Sequence, residues 1–148
     1  MKEIKIRAWD KEKKQMYYDV GIATPKAPIF SITSEGLYIR PDNTRFELLL
    51  YTDLKDKNGK EIYEGDILRA GGEIKIQPFN HNKKVKSPYW EISQIIFSDG
   101  CFKKIIVIQS NSYFGKLPSE PKPIFQAFEY EEIIGNIYEN PKLLEVNP

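Results

Sequence analysis

The chain reads as mainly β: a small barrel or sandwich of short strands with minor helix. Three observations predict this. Aromatic residues make up 13% of the 148 positions, with nine Tyr and eight Phe, and flat or branched side chains cover pleated surfaces well. Apolar and polar residues alternate with period two in several short runs. Turn signals built on Gly, Asn, Asp and Pro recur between those runs, while Ala-, Leu- and Glu-rich helical runs are few. A compact chain of this length buries about 70% of its extended surface, enough for one core without staples. One domain over residues 1–148 is expected.

The elements follow in order. Ile4, Ile6 and Ala8 alternate with Lys5 and Arg7, giving a half-buried strand that Trp9 closes before the polar turn "DKEKKQ". Residues 15–20, "QMYYDV", return as its partner. The proline-bearing loop "GIATPKAP" leads to residues 30–39, "FSITSEGLYI", with a Glu-Gly turn between β-friendly flanks. Residues 46–51, "FELLLY", form a further strand. Asn58-Gly59 predicts a type I′ reversal, which needs positive φ at both central residues. Residues 66–70 and 73–77 read as a hairpin about Gly71-Gly72. Residues 78–88, "PFNHNKKVKSP", form a polar basic loop bounded by prolines. Residues 90–97 and 101–108 form a second hairpin about Asp99-Gly100. Residues 111–123, with three prolines and a glycine, form a long loop, and residues 125–132 show no clear pattern. Residues 133–138 are a last strand, after which Asn140 can cap and Pro141 open a short helical turn over "KLLE".

The stretch "YTDLKDKNGKEIYEGDIL", residues 51–68, concentrates acids and invites a calcium or catalytic reading. With Gly59 at position 6 of an EF-hand loop, Asp56 and Asn58 fall on ligand positions, but Leu54 and Gly65 occupy positions 1 and 12. An alkyl chain and a hydrogen cannot ligate a cation there. Acids interleaved with Lys55, Lys57 and Lys60 look instead like a solvated turn. In that reading Ile62 and Tyr63 enter the core, Gly65 bends the backbone, and Asp66 starts a strand and bonds backbone amides at the bend.

This stretch, "IRAWDKEKKQMYY" before it and "IIGNIYENPKLLE" near the end together resemble the YopX family, small proteins carried by phages, prophages and plasmids. The blocks stand in the family's order and span nearly the whole chain. One departure is Asp53, where the family usually has Gly; Asp is among the residues that tolerate positive φ, so the bend is expected to survive. The resemblance implies a β-rich fold with an SH3-like barrel component over residues 51–148, its early strand following "EGDIL". Residues 1–50 then supply an N-terminal hairpin region. It implies no established activity and no catalytic residues.

Charge and composition narrow the function. The 22 basic and 21 acidic residues leave a net charge of +1, so a protein living on bulk phosphate attraction is not indicated. The one local basic concentration is Lys83, Lys84 and Lys86, flanked by Phe79, Tyr89 and Trp90, residues suited to bind phosphates and stack on bases. His81 is the only histidine and Cys101 the only cysteine, a loop residue and a strand residue by their surroundings, so no metal site and no cofactor are expected. Trp9 reads as a cover for one end of the core. The lone cysteine fits a reducing compartment; no run resembles a signal peptide or a membrane span, and a cytoplasmic protein is expected.

The leading functional expectation is a phage-associated, non-enzymatic interaction module for a phage or host protein or a second copy of the chain. The alternatives are nucleic-acid binding through the 79–90 loop, and a hydrolase using carboxylates gathered from Asp53, Asp56, Asp66 and Asp99.

Overall fold

The structure, a computed structural model, describes residues 4–76, 84–110, 120–124 and 128–145, and they are nearly all β. The strands are β1 (Ile6–Asp10), β2 (Gln15–Tyr17), β3 (Val20–Ile22), β4 (Phe30–Thr33), β5 (Gly36–Ile39) and β6 (Phe46–Lys55). They continue with β7 (Glu61–Tyr63), β8 (Asp66–Ile76), β9 (Val85–Ser98), β10 (Cys101–Gln109), β11 (Lys122–Pro123) and β12 (Glu131–Asn136). A 3-10 turn, Pro141–Leu144, follows. Three curled sheets result, in the orders β2-β1-β6-β7, β3-β5-β4 and β11-β10-β9-β8-β12, and they form a half-barrel.

Three apolar clusters hold the sheets together. Ala8 and Phe46 meet Leu37 and Ile39 of the small sheet. On the opposite face of β1 and β6, Trp9, Met16 and Leu49 pack with Tyr138. Ile62, Leu68, Ile95 and Phe128 fill the curl of the five-stranded sheet. Each fully buried Leu or Ile contributes on the order of 1.5–3 kcal/mol. Trp9 covers the core as expected, tilted against Tyr138 at 5.7 Å between ring centres.

β6 changes partner along its length: residues 46–50 pair with β1, whereas Tyr51 and Lys55 pair with β7. The register slips between those two pairs, and Asp53 sits in the slip with φ 65°. The acidic residue therefore adopts the left-handed conformation, and the bend is kept with Asp at this position.

Several expectations are corrected. Residues 15–20 do not form one partner strand: β2 ends at Tyr17, and Val20–Ile22 peels away to pair in parallel with β5. Asn58-Gly59 is not a type I′ turn, because only Gly59 has positive φ (80°); Gly59 N–H bonds to Asp56 O and Asp56 N–H to Lys60 O in a longer loop. The type I′ pattern belongs to Asp99-Gly100, with φ 53° and 76°. Gly71-Gly72 is not a turn at all. β8 runs straight through it, pairing Gly71 with Trp90 and Gly72 with Tyr89 in one unbroken ladder with β9. The basic loop is consequently shorter than 78–88, since Val85 already begins β9.

Candidate functional site

The acid-rich stretch is structural, and two of its carboxylates are not solvated. Asp56 is 6% exposed and Asp66 1%. Asp56 Oδ1 accepts N–H bonds from Asn58 and Lys60, both at 2.9 Å, and Oδ2 accepts one from Ile133 at 3.0 Å. Burial alone would raise its pKa, but these three amides outweigh it and hold the carboxyl below its ordinary value. Asp66 Oδ2 accepts the Tyr63 N–H at 2.8 Å, as expected of a residue that closes the bend at Gly65, whose φ is 86°. Its other oxygen takes Arg7 Nη2 at 2.7 Å, and the same nitrogen donates to Glu64 O at 3.0 Å. The Arg7 guanidinium lies over the Tyr63 ring, 5.0 Å from its centre. Sequence reasoning missed this pair, because nothing local marks Arg7 as the partner of a residue 59 positions away.

The four candidate hydrolase carboxylates have separate settings. Asp53 occupies the bend of β6, Asp56 and Asp66 anchor two turns, and Asp99 sits in the β9–β10 turn with Lys103 Nζ at 2.5 Å. Among the described residues no group of three or more His, Cys, Asp or Glu could hold a metal ion. Cys101 is half-buried at the start of β10, with its sulfur 3.6 Å from Ser98 O. A cleft of about 470 Å³ opens where β2 leaves β1; of the charged residues lining it, Arg7 is paired with Asp66 and Lys5 with Glu61, and Asp19 and Lys60 border it as well.

The expected basic and aromatic group is divided by the pleat of β9. Lys86 and Trp90 lie on one face, Tyr89 on the other with Glu91. Lys84 and Lys86 are exposed, and Lys86 reaches Glu73 at 3.2 Å, a pair more than half exposed at both ends. Phe79, His81 and Lys83 lie outside the described residues.

The Tyr89 face carries a feature the sequence did not reveal. Glu131, Ala70 and Glu91 stand abreast on β12, β8 and β9, and Gly72 pairs with Tyr89 two positions further along. The small Ala70 and the bare Gly72 leave a groove of about 370 Å³, walled by Tyr89 and Glu91 on one side and Tyr130 and Glu131 on the other. Lys104 Nζ, on β10, bridges the groove's two glutamates, 2.7 Å from Glu91 and 3.1 Å from Glu131. Burial works against the Lys104 charge, but the two carboxylates more than restore it and raise its pKa. The Tyr89 hydroxyl donates to Glu91, and burial together with that carboxylate pushes its pKa up. Tyr130 is 73% exposed. Beside the groove β12 ends opposite Ala70, and among the described residues no strand pairs with the outer edge of β8 from 71 to 76.

A family model described as "YopX protein" matches residues 5–145. Among solved structures, the chain is similar to the crystal structure of protein EF1440 from Enterococcus faecalis, at 25% identity and a TM-score of 0.51. That likeness covers 98% of this chain and 100% of the other. No curated protein matches. Among the described residues no helix is long and apolar enough to cross a membrane.

Proposed function

The chain belongs to the YopX family, and from that premise we propose that it is a phage-associated, non-enzymatic protein-interaction module of the cytoplasm. It takes up an extended segment of a phage or host protein, or of a second copy of itself, as an added strand. In this reading residues 51–148 are an SH3-like barrel unit and residues 1–50 an accessory hairpin region. The observation that supports it most is the outer edge of β8. Past Ala70 its backbone N–H and C=O groups have no ladder partner among the described residues, and a groove runs alongside to receive side chains. Strand addition uses this combination: main-chain bonds supply affinity, and pockets beside the edge supply selection.

The test is a pull-down with the tagged protein from prophage-carrying cells, with and without nuclease. A protein retained after nuclease treatment is expected. Loss of every captured protein on nuclease treatment would contradict the reading. It would favour the alternative, nucleic-acid binding, for which Lys86 and Trp90 on the other face of β9, with the exposed Lys84 just before the strand, are the supporting residues. That alternative requires log affinity to fall with log salt at about −0.9 per phosphate contact on duplex DNA.

A further inference from the structure

We propose that the groove beside β8 receives a lysine or arginine side chain presented by an extended segment of a partner protein. This rests on the interaction reading above and adds the chemistry of the partner.

Charge selects the occupant. Glu91 and Glu131 flank Ala70 on neighbouring strands and, among the described residues, share one ammonium, that of Lys104. Two carboxylates against one cation leave one negative charge in excess at the groove. Glu91 is 8% and Glu131 15% exposed at the side chain, so water screens that charge weakly. Glu73, which also borders the groove, lies on the opposite face of β8 from Ala70 and is paired with Lys86, so it does not alter this balance.

Shape agrees with charge. Tyr89 and Tyr130 both line the groove, and an aromatic face attracts a cation lying over it. The floor at Ala70 and Gly72 admits a long unbranched stem; a Cβ at Gly72 would meet nothing within 4 Å. A segment added along 71–76 would occupy the line that β12 vacates, and every second side chain would then face the groove.

The experiment is a titration of ¹⁵N-labelled protein, followed by amide chemical shifts up to millimolar peptide. The probes are two capped, Val/Thr-rich hexapeptides that differ only in Lys or Glu at one position. The lysine peptide is expected to shift the amides of Gly71, Gly72, Tyr130 and Glu131 and to bind at least about tenfold more tightly than the glutamate peptide. Tyr130→Ala, an exposed and structurally mild change, is expected to weaken the lysine peptide about fivefold while the remaining spectrum stays that of the folded chain. Absence of shifts with the lysine peptide, an equal response to both peptides, or indifference to Tyr130→Ala would overturn the proposal. A nuclease-resistant partner in the pull-down combined with any of those results would sink this inference alone and leave the interaction function standing.

Discussion

Arg7 and Asp66 are 3% and 1% exposed, and each is the other's charge partner. Removing one member of such a pair strands a buried charge, so Arg7→Met is expected to lower unfolding free energy by about 3–5 kcal/mol at pH 7. Burial already pushes the Asp66 pKa up, and Arg7 is the main force opposing it. Without Arg7 the folded-state pKa rises further above the unfolded value, so the folded chain prefers the proton. The loss should therefore be largest at pH 8 and shrink toward pH 4; urea melts across that range check this, and a pH-independent loss would contradict it. Asp10 works in the opposite sense. The Arg45 guanidinium, assisted by the N–H groups of Lys13 and Glu12 and opposed by burial, holds its pKa down to about 2, against 3.8 for the ordinary carboxyl. Its contribution is present above pH 3.8 and fades as pH falls toward 2, so Asp10→Asn should flatten the acid limb of the stability curve. Neither pair was legible in the sequence. The acids were visible, but their burial depends on arginines brought from 59 and 35 positions away.

Strands and turns were more legible, with failures that share a cause. Asp99-Gly100 was readable because both residues take positive φ and the flanking strands pair at once, Cys101 with Ser98. Asn58-Gly59 has the same composition but reverses through a longer loop, since Asp56 gathers the amides of the turn onto its carboxylate. Gly71-Gly72 imitates a hairpin in one dimension; only the register reveals that Trp90 and Tyr89 lie across it. The parallel pairing of β3 with β5 and the groove at Ala70 likewise depend on neighbours far along the chain. The short turn at Pro141 was foreseen, although the Asn140 side chain does not cap it and instead accepts from Asn136 N–H at 3.3 Å. Asp53 gives this scale its test. At φ 65° a β-branched residue is strained, so Asp53→Val should cost about 1–2 kcal/mol while Asp53→Gly is neutral or stabilising. Thermal or urea melts showing Val equal to Gly would contradict the left-handed bend.

The molecule as a whole is joined through the loop that the acids organise. Asp56 bonds Ile133 N–H and Lys57 N–H bonds Glu131 O at 2.9 Å, tying the β6–β7 reversal to β12. Gly65 N–H reaches Ile95 O, and Ile137 N–H returns to Gly65 O. The four-stranded and five-stranded sheets should therefore unfold together. The two tryptophans report on them separately, Trp9 in β1 and Trp90 in β9. Urea curves of Trp9→Phe and Trp90→Phe variants are expected to give one m-value and one stability, after allowing for each substitution's own cost. Asp56→Ala is expected to lower stability by about 2–4 kcal/mol by both reporters. On the proposed function the binding surface is the edge of β8 from 71 to 76, with which no strand pairs among the described residues. The most direct measurement is hydrogen–deuterium exchange of the protein alone and in complex with the partner recovered after nuclease treatment. Slowed exchange across 71–76, with the Asp56 loop unchanged, is the expected result. Protection confined to other surfaces, with 71–76 exchanging as in the free chain, would contradict strand addition at this edge.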